Sequence, residues 1–188
     1  NTSYGIRIVA GASGFAKIAN LSENERQNFI NELSELSVAD VIIIDTGAGV
    51  SNNVISFIAA ADDALIVTTP EPTAITDAYG IIKIIATEID NLNLGLKLVV
   101  NRVKNVTEGK RVAQRVINIA GQFLNLKVDY LGCVYDDPAV QNAVIKQKPF
   151  IISEPKSKVS ISVKHLVGRL EKVDYKEGGG VTRFLKRL

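Results

Sequence analysis

A run of β-branched apolar residues, Val41 to Ile44, ends at Asp45 and is followed by two glycines, Gly47 and Gly49. Because no polar residue interrupts the run, the pattern predicts a strand over Val41–Asp45 that is buried on both faces. Such strands occur in parallel sheets covered by helices, so this run alone favours an α/β fold. The acidic side chain at its end must meet solvent, a metal ion or a partner.

The rest of the chain alternates short β-branched runs with helical patterns. This order predicts a doubly wound, mostly parallel sheet with helices on both faces. The other predicted strands are Gly5–Ala10, Ala64–Thr68, Leu96–Asn101, Tyr130–Val134 and, as a further candidate, Phe150–Ile152. The predicted helices are 22–36 (with a capping box of Ser22 and Glu25), Asn52–Ala60, Ala74–Ile89 (with Thr73 as N-cap), Gly109–Phe123, Pro138–Gln147 and Lys158–Val173.

Composition excludes several classes of protein. The 188 residues suit one domain of ordinary size, and a formal charge of +2 is too small to indicate a nucleic-acid-binding protein. A single cysteine, Cys133, rules out a disulfide framework or a cysteine metal cluster and favours a reduced, cytoplasmic setting. No apolar run reaches the roughly 18 residues of a membrane span. Because the sequence contains no methionine, we expect it to be part of a longer chain.

Asp45 with Gly47 and Gly49 is the first candidate for chemistry. In open α/β sheets, ligands bind beyond the carboxyl ends of the strands. An aspartate there can hold a Mg²⁺ shell or orient a catalytic water, and glycines let the backbone approach a terminal phosphate. The alternative is that Asp45 only caps the next helix. A dinucleotide fingerprint does not fit, because the third glycine and a later acidic residue for ribose are absent.

The phosphate loop that should accompany such an aspartate, GxxxxGK[ST], does not occur in the sequence. The nearest match, Gly11 to Gly14 with Lys17, has its lysine too late and no following Ser or Thr, so we interpret it as a loop turn. The one histidine, His165, lies on a helix away from any triad or metal set and is predicted to be a surface residue.

Two further strand ends carry polar residues. Asn101 and Arg102 end the predicted strand LKLVVN, where the amide could match a purine edge and the guanidinium could stack on the base. Asn101 as a simple turn residue is the alternative. Tyr135, Asp136 and Asp137 end the next strand before a proline-led helix, and their backbone groups could line the base.

The last eight residues form a small basic amphipathic pattern. Spacing predicts one apolar helical face and one basic face, and a glycine-rich tether at 174–180 precedes them. Such a helix suits the surface of an anionic bilayer, although a frayed terminus or packing on its own domain is the alternative. The predicted membrane-binding residues are Val181, Arg183, Phe184, Leu185, Lys186, Arg187 and Leu188.

Several segments together resemble one family, the MinD/ParA group of P-loop ATPases with a deviant Walker A motif. The matching segments are IIIDTGAGVSNNV, VTTPEPTAITDAY, LVVNRV, VYDDPAVQNAVIKQKPFI and the terminal FLKRL. Within the group, the sequences of these segments are most similar to FlhG, also called FleN or YlxH, the MinD-like regulator of flagellar number and placement. The resemblance implies a P-loop NTPase-like fold.

The resemblance also implies roles for the candidate residues. Asp45 would be the Mg²⁺ and water-ordering residue of the second switch, with Gly47 and Gly49 as its backbone. Asn101 and Arg102 would lie beside adenine, the loop 135–137 would close over the base, and 181–188 would anchor the protein to the membrane. ATP or ADP and Mg²⁺ are the implied cofactors. The family's first strand and its phosphate loop would precede Asn1, so we expect residues 1–188 alone to be inactive as an ATPase.

The expected organisation is a nucleotide-binding domain over 1–173, a flexible linker over 174–180 and a membrane helix over 181–188. The implied partners are a second copy in the ATP state, the cytoplasmic membrane surface, and flagellar assembly proteins such as FlhF or switch-complex components. The expected location is peripheral on the cytoplasmic face of that membrane. A MinD-type selector of the division site and a non-catalytic scaffold remain alternatives, whereas a DNA partitioner is disfavoured because no basic stripe lies outside the tail.

Overall fold

A computed structural model describes residues 4–8, 39–47, 49–89 and 94–171 of the chain. It divides into two compact units, one containing the residues up to Ala60 and one containing the residues from Ala61. The predicted helix over 22–36 and the predicted membrane helix over 181–188 lie outside the described residues. Of the predicted strand Gly5–Ala10, only residues 5–8 are described, and they form no strand.

In the first unit, the structure describes helix α1, Asn52–Ala60, with the bounds that the sequence predicted. The predicted buried strand Val41–Asp45 is wrong for this structure. Residues 41–47 have no regular secondary structure, and their side chains are exposed, Ile43 to 85%. A strand requires a hydrogen-bonded neighbour, and the described residues supply no strand that pairs with this segment.

The second unit contains a three-stranded parallel sheet in the order β1-β2-β3. Its strands are β1 (Asp63–Thr68), β2 (Gly95–Val103) and β3 (Asp129–Tyr135), which confirms three predicted strands with small extensions. The helices are α2 (Pro72–Glu88), α3 (Val106–Leu124), α4 (Pro138–Ile145), α5 (Phe150–Ser153) and α6 (Lys158–Leu170). The predicted strand Phe150–Ile152 is therefore wrong. The amides of Ile152 and Ser153 both donate to the carbonyl of Pro149, which closes a helical turn.

The middle strand β2 forms the centre of the core. Leu96 to Val100 are all buried, as expected for a strand covered on both faces. Lys97 is the one charged residue among these five buried residues. The Lys97 ammonium forms an ion pair with Asp63 of β1. Pairing satisfies a charge that would otherwise be costly to bury.

Helices cover both faces of the sheet, as predicted. Successive strand residues point to opposite faces of a sheet. In β3, Gly132 faces one covering helix and Cys133 faces the other. A Cβ built on Gly132 would meet Leu166 of α6, whereas a Cβ built on Gly109 of α3 would meet Cys133. Strand β3 is therefore packed between α3 and α6.

The helix starts follow from capping chemistry. Asn105 caps α3 by accepting the amide of Glu108 at 2.9 Å, and Ser157 caps α6 by accepting the amide of Ser160. Helix α2 begins earlier than predicted, because Pro72 takes the first helical position and Glu71 is the N-cap residue. Thr73 is thus inside the helix, and its prediction as N-cap is wrong. None of the helices in the described part of the chain is long and apolar enough to cross a bilayer.

Candidate functional site

The carboxyl ends of the three strands lie at one edge of the parallel sheet. This edge contains Glu71 after β1, Asn101 and Arg102 near the end of β2, and Asp136 after β3. In open α/β sheets this is the edge at which ligands bind. The amide of Asp136 donates to the carbonyl of Val103 at 3.0 Å, which holds the exit of β3 against the end of β2.

A β-bulge presents Asn101 and Arg102 at this edge. Val100 pairs with Cys133 and Val103 pairs with Tyr135, so β2 contains one residue more than β3 over this interval. The extra residue is accommodated by Arg102, whose φ of 56° is left-handed. A bulge of this kind redirects side chains at the end of a strand. The alternative of Asn101 as a turn residue is therefore wrong, since it is a strand residue at a bulge.

The strained backbone of Arg102 is supported by a local hydrogen bond. The Oδ1 atom of Asn101 accepts the amide of Arg102 at 2.9 Å. A non-glycine residue in the left-handed region costs on the order of 1–2 kcal/mol. Strained conformations of this cost concentrate at functional sites. The bulge therefore favours a functional role for Asn101 and Arg102.

The guanidinium of Arg102 lies between two carboxylates from neighbouring strand exits. Its Nη1 is 3.8 Å from Oε1 of Glu71, and its Nε is 3.9 Å from Oδ1 of Asp136. The Arg102 side chain is 61% exposed, so these pairs orient it without contributing much stability. Glu71 is a site residue that was not predicted from the sequence. Its position between Pro70 and Pro72, which fix the backbone on both sides, is the signal that could have found it.

Asp137 has a structural role in addition to its predicted place in the site. Its Oδ1 accepts the amide of Ala139 at 2.9 Å and caps α4, and its Oδ2 accepts the amide of Val159 at the start of α6. The hydrogen bond from Ala139, followed by that from Val159, holds the pKa of this carboxyl below its ordinary value. The carboxylate of Asp137 is thus occupied by two helix N-termini, so within Asp137 it is the backbone that can line a ligand.

Tyr135 lies beside Lys158, whose Nζ is 6.0 Å from the centroid of the ring. Further along the same strand, burial and a hydrogen bond with Cys133 raise the pKa of Tyr130. Tyr130 is half-buried, with its hydroxyl beside Gly109 of α3. His165 is exposed on α6, as predicted.

Asp45, Gly47 and Gly49 belong to the first unit, where the structure shows an exposed, irregular segment. Gly49 has a φ of 100°, which only glycine adopts without strain, and a Cβ on either glycine would meet no atom within 4 Å. Among the described residues, the space beside both glycines is therefore open. Within the part of the chain that the structure describes, no three His, Cys, Asp or Glu side chains form a metal-binding group.

A parallel sheet with helices on both faces, and with polar residues gathered at the carboxyl ends of its strands, defines an open, doubly wound α/β domain. The solved structure of the MinD protein from Pyrococcus horikoshii, a complex with Mg-ADP, matches it with a TM-score of 0.59 and 21% identity. That match covers 78% of this chain and 57% of the MinD chain.

Two curated relatives are more similar in sequence. The antiactivator FleN of Pseudomonas aeruginosa is 33% identical over 89% of this chain and 59% of its own length. The flagellum site-determining protein YlxH of Helicobacter pylori is 33% identical over 98% of this chain and 64% of its own length. The chain thus spans about three fifths of the length of the curated relatives it matches. No family model matches the sequence.

The chain belongs to the MinD/ParA-type ATPase family, in the branch that contains FleN and YlxH. This confirms the resemblance and the fold class that the sequence motifs implied. The roles of the individual site residues stay predictions.

Proposed function

We propose that this chain is the nucleotide-responsive part of a MinD-like ATPase that regulates flagellar number and position. The observation that carries the proposal is the β-bulge at the end of β2, which presents Asn101 and Arg102 at the ligand-binding edge of the sheet. The printed names of FleN and YlxH, an antiactivator and a flagellum site-determining protein, support the flagellar role.

In this proposal the edge formed by β2 and β3 binds adenine. The Oδ1 atom of Asn101 is held by the amide of Arg102, which orients the side-chain NH2 group to donate to a ring nitrogen. The guanidinium of Arg102, oriented by Glu71 and Asp136, supplies a flat cation for stacking on the base. The backbone of 135–137 closes over the other side.

Asp45 is proposed to act on the phosphates. Its exposed carboxylate offers the oxygen ligands that Mg²⁺ prefers, and the open space beside Gly47 and Gly49 fits a ligand at that position. Mg²⁺ would neutralise charge on the phosphates. The sequence of 188 residues contains no GxxxxGK[ST] loop, so we propose that ATP hydrolysis requires a phosphate loop outside these residues.

Nucleotide titration and hydrolysis assays test this assignment. Residues 1–188 alone should show no micromolar affinity for ATP, and micromolar affinity would contradict the proposal. In the protein as the cell makes it, Asp45→Asn should reduce ATP hydrolysis by about a hundredfold or more while ADP binding persists, because charge stabilisation in the transition state is lost. Undiminished hydrolysis would remove Asp45 from the reaction. Asp40→Asn, an exposed carboxylate shortly before it, is the matched control.

We further propose that ATP drives dimerisation and that 181–188 attaches the dimer to anionic lipid after the tether at 174–180. Two weak helices in one dimer would bind far more firmly than one. Flagellar assembly proteins, such as FlhF or switch-complex components, are the proposed partners. Co-sedimentation with vesicles of anionic phospholipid should fall sharply for Phe184→Glu and little for Lys148→Glu. Unchanged binding of Phe184→Glu would dismiss the tail as the anchor.

A further inference from the structure

Helices α2 and α3 form an apolar groove within the second unit, and it begins at Pro72, the residue after Glu71. The groove is open to solvent and holds about 400 Å³. Its lining residues are Pro72, Ile75, Thr76 and Tyr79 of α2 and Arg115, Ile119 and Phe123 of α3. The side chain of Phe123 is 71% exposed. A large aromatic side chain presented to water at the end of an open apolar groove is typical of a binding surface.

Cations surround this groove. Arg115 lines it directly, and Arg111 lies one helical turn earlier on the same face of α3. On α2, exposed Lys83 follows Tyr79 by one turn. Within the described residues, none of these three cations forms a salt bridge.

The carboxylates of the two helices are Asp77 and Glu88 on α2 and Glu108 on α3, and among the described residues none of them forms a salt bridge with these cations. Asp77 lies two residues from both Ile75 and Tyr79, which places it roughly 200° around α2 from each. Glu108, at the start of α3, accepts the amide of Lys104 and belongs to the cap of the helix. The groove is therefore apolar at its floor and positive at its edge.

We propose that this groove binds an acidic, amphipathic helical segment of a partner protein. Apolar side chains one turn apart would enter between Tyr79, Ile119 and Phe123, while flanking Asp or Glu side chains would meet Arg111 and Arg115. The tail of this chain is a poor occupant, because Arg183, Lys186 and Arg187 would repel the same cations.

Fluorescence anisotropy with a labelled probe tests this proposal on the 188-residue chain. The probe is an amphipathic peptide of about 18 residues. It carries Leu and Phe at i, i+3, i+4 and i+7 and Glu or Asp at the flanking positions. A second peptide replaces each Glu by Gln and each Asp by Asn. The acidic peptide should bind saturably, and the neutral peptide should bind about tenfold more weakly because the charge pairs are lost.

Matched variants identify the surface. Arg115→Glu and Phe123→Ala should each weaken binding of the acidic peptide by about tenfold, whereas Lys110→Glu should change it less than about twofold. Lys110 has the same charge and lies on the same helix, but it lies on the side of α3 away from the groove. Absence of saturable binding, or equal binding by Arg115→Glu, would overturn the proposal. Self-association of the chain that Phe123→Ala abolishes would also overturn it, because a second copy would then be the occupant.

Discussion

At the scale of single residues, Asp137 links the site to the stability of the domain. One carboxylate accepts amides from the first turns of α4 and α6, so it fixes the start of two helices and the segment that follows β3. Arg102 is the complementary case, because its left-handed backbone, with a φ of 56°, costs stability.

Replacing Asp137 by Ala should lower the free energy of unfolding at neutral pH by about 1–2 kcal/mol, since the cap of α4 and a hydrogen bond to the first turn of α6 are lost. The folded pKa of Asp137 lies below its ordinary value. Its stabilisation is therefore fully present above the ordinary pKa of an aspartate and is lost as pH falls through the lowered folded pKa. The difference between wild type and Asp137→Ala should shrink over that acidic range.

Urea unfolding of the wild type and Asp137→Ala at a series of pH values measures this effect. Asp137→Asn, which keeps the shape and one acceptor oxygen, should be intermediate at neutral pH. If the difference in free energy of unfolding between wild type and Asp137→Ala stays constant down to the lowest pH measured, ionisation of Asp137 does not stabilise the fold.

At the scale of elements, the contact between α3 and β3 depends on a glycine inside a helix. A Cβ on Gly109 would lie 2.8 Å from Cβ of Cys133 and 3.1 Å from the hydroxyl of Tyr130. Gly121, in the same helix, faces open space. Helix propensity alone would favour alanine at both positions.

Substitution by alanine should therefore change the free energy of unfolding in opposite directions at the two glycines. Gly109→Ala should lower the free energy of unfolding by about 1–3 kcal/mol, because overpacking outweighs propensity. Gly121→Ala should raise it by about 0.5–1 kcal/mol. Chemical denaturation of both variants checks the pair, and a gain in stability for Gly109→Ala would contradict the close packing of α3 on β3.

Local sequence patterns predicted most of these elements. Helix α1 was predicted with its bounds, and the three strands of the second unit were placed within three residues at each end, because β-branched runs and capping residues act over short distances. The bulge at Arg102, its partner Glu71 and the pairing of Lys97 with Asp63 were not predicted. Each depends on the register between strands that are distant in sequence.

At the scale of the whole molecule, the segment 41–47 shows how far a strand depends on its surroundings. Its β-branched run has the composition of a buried strand, yet the described residues leave it exposed and without a pairing neighbour. Composition supplies a propensity, whereas pairing requires a second strand. The MinD/ParA-type family and the resemblance to FleN and YlxH, in contrast, follow from motifs spread along the chain, and the curated relatives confirm them.

The proposed role of the sheet edge depends on whether Asn101 forms a hydrogen bond that is specific to adenine. This role is tested by measuring the affinities for ATP and GTP in competition. The measurement compares the protein as the cell makes it with its Asn101→Ala and Asn118→Ala variants. Asn118 is an exposed asparagine of α3 and serves as the control. Loss of one base-specific hydrogen bond should weaken ATP binding by about tenfold, whereas GTP affinity should change less than about twofold. Asn101→Ala with unchanged ATP affinity, or with equal losses for ATP and GTP, would contradict adenine recognition at the end of β2.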